Sequence, residues 1–183
     1  MTGHYEARFA AVGGQGILLA GDILAEAAIN YENLYALDSP TYTAQVRGGP
    51  TKVDVIIDSS KILFPRTTAI DFMLCLAQRS WDKFGHDLKP GCIVLIDPFL
   101  VQHVDEVNNK VYRLPLIELT KTELKKMVYT SAVALGAMIG LTEALPVDSV
   151  LKALMKKAPK GTEEQNQRAF SVGYEAAKVL LKS

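Results

Sequence analysis

Two short stretches carry residue types and spacings that can do chemistry. The first is Gly13-Gly14-Gln15-Gly16, which follows a short apolar run and precedes an apolar-periodic segment. Glycines at a strand-to-helix turn let backbone N–H groups converge, and the helix N-terminus adds partial positive charge, so such a turn can hold an anion. The second stretch is residues 39–55, SPTYTAQVRGGPTKVDV, where Tyr42, Gln45, Arg47 and a Gly48-Gly49-Pro50 bend lie on a long connection entering a strand. Polar groups on a loop held by a rigid sheet are where binding function concentrates. The Arg47 guanidinium is a planar fork suited to a carboxylate or a phosphate; an ion pair with a carboxylate of this chain or of a partner uses the same fork.

Several familiar chemistries are excluded. The dinucleotide fingerprint G-x-G-x-x-G/A fails, because reading from Gly14 gives GQGILL with Leu19 in the third position. A Walker loop needs G-x-x-x-x-G-K-[ST], and the segment after the glycines has no Lys. Asp38 stands about twenty residues on, where a ribose-binding acid would stand, and is a weak match by itself. A tight turn that packs the first helix close to the sheet explains the glycines as well as anion binding does. Cys75 and Cys92 are isolated within apolar runs and read as buried, inert thiols. His4, His86 and His103 form no metal or nucleophile constellation.

The elements that must position these residues follow from periodicity. Short β-branched runs alternate with helical patterns in the first half, as in a mostly parallel sheet covered by helices. Strands are predicted at residues 7–12, 34–37, 52–58, 72–77 and 92–97. The third of these alternates and then turns continuously apolar, which suits the sheet margin or an antiparallel pairing. Ile17, Ala20, Leu24, Ala27 and Ala28 have helical spacing. A short helix is expected over 79–88 around Trp81 and Phe84, before Lys89-Pro90-Gly91 turns the chain. Residues 111–117 read as an extended piece that Pro115 confines to an edge or loop. Thr120 with Glu123, and Thr162 with Gln165, match the capping-box spacing and each predict a helix start. Pro146 suits a helix start before Val150, Leu151, Leu154 and Met155. Residues 131–141 read as a buried or interface helix, with Ala132, Ala134, Gly136, Ala137 and Gly140 permitting close approach. A last helix places Phe170, Gly173, Tyr174, Ala177, Leu180 and Leu181 on one face.

The whole is expected to be a single α/β domain over residues 1–183: three layers, a mostly parallel Rossmann-like sheet flanked by helices, and a helical C-terminal part. The chain has 183 residues, 49% of them hydrophobic and 22% charged, which is a globular composition. Its 20 basic and 20 acidic residues cancel, so no overall field would draw nucleic acid or an anionic membrane. The Lys-rich spots at 121–126 and 156–160 read as solvated faces. The opening MTGHYEARF lacks the basic start and apolar core of a secretory signal, which points to the cytoplasm. The most apolar run, 131–141, falls well short of the roughly 18–20 residues that cross a bilayer.

Taken together, GGQGILLAGDILAEAA, SPTYTAQVRGGPTKVDVIIDS, KPGCIVLID, SAVALGAMIGLTEAL and RAFSVGYEAA resemble, in order and over nearly the whole chain, the gamma subunit of the 2-oxoacid:ferredoxin (acceptor) oxidoreductases. That family's central segment commonly reads SYGPEMRGG. Thr41-Tyr42 and Arg47-Gly48-Gly49 match it, while Thr43-Ala44 and Gln45 replace Gly-Pro and Glu. These departures resemble the 2-oxoglutarate branch more than the pyruvate branch.

The resemblance implies a complex that decarboxylates a 2-oxoacid on thiamine diphosphate with Mg, passes electrons through [4Fe–4S] clusters to ferredoxin or a similar acceptor, and forms an acyl-coenzyme A. This chain lacks the reactive parts. The family's metal anchor is a Gly-Asp-Gly segment, and the only Gly-Asp here, Gly21-Asp22, is followed by Ile23 inside a predicted helix. Two cysteines cannot supply the four thiolates of a cluster. The resemblance therefore implies a subunit that is not catalytic alone, with thiamine and cluster sites on alpha, beta and, where present, delta chains. Gly13, Gly14, Gln15, Gly16, Tyr42, Arg47, Gly48 and Gly49 are its candidate ligand or interface residues, with Arg47 facing a coenzyme A phosphate or a partner's acid. Two other readings stand beside this one: an autonomous nucleotide-binding enzyme, and a scaffold that touches no ligand.

Overall fold

The computed structural model describes residues 3–13, 16–41 and 48–182. One six-stranded sheet organises them, with strand order β2-β3-β1-β4-β5-β6. Its strands are β1 (Tyr5–Val12), β2 (Tyr35–Thr41), β3 (Pro50–Asp58), β4 (Ile70–Cys75), β5 (Leu88–Ile96) and β6 (Lys110–Arg113). β1 pairs in parallel with β4, β4 with β5, and β5 with β6, whereas β3 runs antiparallel to both β1 and β2. Five strands thus share one direction and β3 opposes them, so the predicted mostly parallel sheet and the antiparallel pairing of 52–58 both hold. β3 lies inside the sheet and not at its margin.

The helices are α1 (Ile17–Glu32), α2 (Gln78–Phe84), α3 (Leu116–Leu124), α4 (Thr130–Thr142), α5 (Val147–Lys157) and α6 (Glu163–Leu180). Alternation along β1 sorts its side chains between the two sheet faces. Ala7, Phe9 and Ala11 meet α1, α4 and the helices behind them in the larger core, while Ala10 joins Met73, Cys75, Trp81 and Phe84 beneath α2. The result is three layers of unequal depth. One face carries α1 and α4 backed by α5 and α6; the other carries α2 and loops.

Two close approaches set the thick layer. Gly21 of α1 faces β3, where a Cβ would come within 2.6 Å of Val53 Cγ1. The tight helix-on-sheet packing expected of the glycine turn is therefore provided one turn further along. α4 is buried along almost its whole length, and Gly136 and Gly173 bring its backbone against that of α6: a Cβ at Gly173 would lie 1.9 Å from the Val133 carbonyl oxygen. This explains why 131–141 shows no polar face. It is a core helix, surrounded on all sides.

Other expectations need correction. The strand predicted at 34–37 runs on to Thr41, because an edge strand tolerates Pro40 with its missing N–H turned to solvent. Lys89-Pro90-Gly91 does not turn the chain; β5 begins at Leu88 and absorbs these residues as a bulge opposite Ile70 and Phe72. The extended piece at 111–117 ends at Arg113, and α3 starts at Leu116. Thr120 is no cap. It is buried inside α3, where its hydroxyl donates to the Leu116 carbonyl at 2.7 Å, since the apolar Leu116 anchors the helix start. Thr162 does sit at the start of α6, but its hydroxyl donates backwards to Pro159 O, so no reciprocal box forms. Leu181 falls just past the end of α6 and is exposed.

Candidate functional site

The reversed β3 brings the two glycine segments to one place. β1 leaves the sheet at the end where β3 enters it, and Val12 pairs with Pro50. Immediately beyond, the Gly13 N–H donates to the Gly49 carbonyl at 3.2 Å. Gly48 and Gly49, distant along the chain, are thus neighbours of the glycine turn. Gly16 adopts φ +70°, a left-handed conformation open to glycine, and begins α1 without a side-chain cap. A Cβ there would be 3.6 Å from Ser131 Oγ, so α4 also starts at this spot. Neither α1 nor α4 has an acidic residue in its first turn. Two helix N-termini, each without a side-chain cap and with no local carboxylate, give this sheet end a positive potential that suits an anion.

Of the predicted site residues, Gly13, Gly16, Gly48 and Gly49 are brought together here. Gly14, Gln15, Tyr42 and Arg47 lie outside the described residues. The Gly13 N–H already serves Gly49, so Gly13 joins the two segments and does not offer its amide to an anion. Beside the turn, a recess of about 180 Å³ is lined mainly by apolar groups, among them Leu19, Ile23, Ala132 and Leu154, with Ser131, Lys157, Thr162 and Asn166 as polar members.

Asp38 does not behave as a ribose-binding acid. It sits midway along β2, exposed and opposite Val55. Because β3 intervenes between β1 and β2, Asp38 lies about 10 Å, two strand spacings, sideways from β1, and it is level with Ala7 and not with the turn at Gly13. Gly21-Asp22 does not fit a metal anchor, since the Asp22 carboxylate accepts from Lys157 Nζ at 2.8 Å on the helix surface. The cysteines do not fit a cluster either. Burial pushes both the Cys75 and the Cys92 thiol up to about 12, so each is held protonated as a free thiol in the smaller core beneath α2.

A second assembly was not anticipated from the sequence. On the sheet face away from α1, Arg8 Nε and Nη2 donate to Asp54 Oδ1 and Oδ2 at 2.7 and 3.0 Å. Nη1 donates to the carbonyls of Phe84 and His86, and Nη2 also to Thr67 Oγ1. All five guanidinium N–H groups are used, leaving none for a substrate. Lys52 also contacts Asp54. Burial draws the Asp54 carboxyl upward, but Arg8, Lys52 and Thr67 outweigh it and hold the group below its ordinary value. Nearby, buried Glu6 accepts from the backbone N–H groups of Thr68 and Ala69, each at 2.7 Å, and contacts His4, whose other ring nitrogen meets Asp58. The signal was present in the sequence: charges at alternate positions of two apolar strands, Glu6 and Arg8 in YEARFAAV and Lys52 and Asp54 in PTKVDVIID.

Similarity to known proteins follows the same outline. The sequence profile of pyruvate ferredoxin/flavodoxin oxidoreductase matches residues 6–176. The 2-oxoglutarate synthase subunit KorC of Methanocaldococcus jannaschii is 41% identical over 177 residues, covering 96% of this chain and 95% of that one. The solved gamma subunit of a keto/oxoacid ferredoxin oxidoreductase from Geobacter sulfurreducens superposes with a TM-score of 0.89 at 36% identity, over 98% of this chain and 99% of that chain. The 2-oxoglutarate:ferredoxin oxidoreductase of Magnetococcus marinus, solved with 2-oxoglutarate, coenzyme A and succinyl-CoA bound, gives a TM-score of 0.85 at 25% identity, covering this whole chain and 32% of that chain.

Proposed function

The chain belongs to the pyruvate ferredoxin/flavodoxin oxidoreductase family, and on that premise we propose that it works as the gamma subunit of a multi-subunit 2-oxoacid:ferredoxin oxidoreductase acting on 2-oxoglutarate. In this reading the chain is inactive alone and works in the cytoplasm. Companion alpha, beta and, where present, delta chains supply thiamine diphosphate with Mg and the [4Fe–4S] clusters, which carry out the decarboxylation and pass electrons to ferredoxin or a similar acceptor. The described residues of this chain fit neither group: Asp22 is engaged by Lys157, and the two thiols are buried and protonated.

What this chain contributes is a wall of the coenzyme A site. One observation carries that assignment: the glycine turn and the Gly48-Gly49 bend are joined by the Gly13–Gly49 hydrogen bond at a sheet end where two helix N-termini without side-chain caps meet. An anionic phosphate is the ligand such a place attracts. Arg47, next to Gly48 in sequence, is the side chain we assign to a coenzyme A phosphate, with Tyr42 and Gln15, from the same two segments of the sequence, as further candidates.

The test combines assembly with kinetics. Native mass spectrometry of the purified complex is expected to find this chain with companion subunits, and Arg47→Ala to raise the Michaelis constant for coenzyme A about tenfold, as expected from the loss of one charge-assisted contact. Unchanged coenzyme A kinetics in an intact complex would leave the chain as a scaffold. Micromolar binding of NAD(H) to the isolated chain would replace the subunit reading with that of an autonomous nucleotide-binding enzyme.

A further inference from the structure

We propose that residues 61–66, KILFPR, are the anchor by which this chain docks on the larger body of the oxidoreductase, an inference that rests on the subunit role proposed above. Leu63 and Phe64 are adjacent and 86% and 60% exposed. Single exposed apolar residues are ordinary, but two large neighbours at the tip of one connection form a patch of the kind that interfaces use as a central anchor.

The segment is held rigidly at both ends. At its start, the Ser60 N–H and hydroxyl donate to Asp58 Oδ1, each at 2.8 Å. At its end, the Thr67 hydroxyl donates to Asp54 at 2.7 Å, and the Thr68 and Ala69 N–H groups donate to Glu6. The buried charges Arg8, Asp54 and Glu6, bonded to groups of this chain, thus fix in place a connection that buries little of itself. Preorganised in this way, Leu63 and Phe64 lose little further freedom on association.

The surroundings specify the partner. Residues 59–69 contain Lys61 and Arg66 and no acidic residue, so the apolar pair is flanked by positive charge. Beside it lies a polar recess of about 290 Å³, opening on the sheet face over β2 and β3 beside α2, whose lining includes Arg66, Lys52, Thr67 and His86 together with Asp54 and Asp87. The matching surface is an apolar pocket bordered by carboxylates. In the Magnetococcus marinus enzyme this fold makes up 32% of one chain, so it is a fold that shares a polypeptide with a larger body. That larger body is the occupant we assign to this face.

The experiment uses the complex co-expressed with its companion subunits and analysed by native mass spectrometry. Leu63→Asp/Phe64→Asp is expected to reduce retained companions at least tenfold, while Val179→Asp, at a similarly exposed site on α6, leaves them unchanged. The isolated double variant should melt close to the wild type; if it does not, Arg66→Glu and acetylation of Lys61 decide, with Lys61 expected to be labelled several-fold more slowly in the complex than in the free chain. Companions retained at the wild-type ratio, with Lys61 labelled equally in both, would overturn the docking surface alone. A wild-type chain that purifies without companions would overturn the subunit role, and the docking surface with it.

Discussion

Arg8 and Asp54 stand directly opposite each other across the β1–β3 pairing, and the guanidinium grips both carboxylate oxygens, with Nε 2.7 Å from Oδ1 and Nη2 3.0 Å from Oδ2. Removing one member of a buried pair leaves the other uncompensated, at a cost of about 3–5 kcal/mol. Arg8→Met is therefore expected to lower the melting temperature by roughly 6–20 °C for a chain of this size. Arg8→Met/Asp54→Leu should recover much of the loss. A melting temperature for Arg8→Met near that of the wild type would show that the pair does not hold this face together.

The contact between α4 and α6 has no room for a methyl group, since a Cβ at Gly173 or at Gly136 would run into opposing backbone and not into a movable side chain. Overpacking of this kind costs about 1–3 kcal/mol or more. Gly173→Ala should lower the free energy of unfolding by at least that amount, as read by chemical denaturation. Ala176→Gly, on the same helix, should cost only about the 1 kcal/mol of helix propensity. Equal effects from the two substitutions would contradict the close approach.

Stability is expected to depend on pH through His4. Its contact with Glu6 raises its pKa above 6.5, burial opposes this, and Asp58 adds to the rise. A group held more firmly protonated in the folded chain contributes fully below its unfolded value and loses that contribution as pH rises through the folded one. Glu6 has the opposite sign. Burial draws it upward, but His4, Ala69 and Thr68 hold it below its ordinary value, so its contribution is lost as pH falls through the folded value. Compared with His4→Gln, the wild type should show its largest advantage in melting temperature at mildly acidic pH, and the advantage should shrink as pH rises through the raised His4 value. An advantage that widened toward alkaline pH would refute the assignment.

Both thiols are expected to be inert in the folded chain. With burial pushing Cys75 and Cys92 up to about 12, a disulfide reagent at about pH 8 should modify them at least roughly a hundredfold more slowly than in denaturant. Rapid modification of either one under native conditions would contradict the burial.

How much could be read in advance differs by residue. The strand–turn–helix around Gly13 and Gly16 was legible because a short apolar run, glycines and a period-3.6 run follow one another. The small-residue stripe of α4 was legible as a close approach, although only the packed chain identifies α6 as its partner. The meeting of Gly13 with Gly49 was not legible, because it depends on β3 inserting in reverse between β1 and β2, a pairing between distant segments that local pattern does not encode. Thr120 misled for a related reason: spacing suggested a cap, but the apolar contact of Leu116 began the helix a turn earlier. Glu6 and Arg8 were visible as charges in an apolar strand, and their meaning emerged only with the partners that the fold delivered.

The reversal of β3 also separates two jobs that one loop would otherwise share. Strand register on this side of the sheet is fixed by the seven pairs from Tyr35 opposite Asp58 to Thr41 opposite Lys52, all of them outside the stretch that joins the two strands. Residues between Thr41 and Gly48 can therefore be exchanged, shortened or lengthened among descendants while the scaffold beneath keeps its alignment. Whatever that stretch contacts can change by small steps, on a chassis that need not be rebuilt each time.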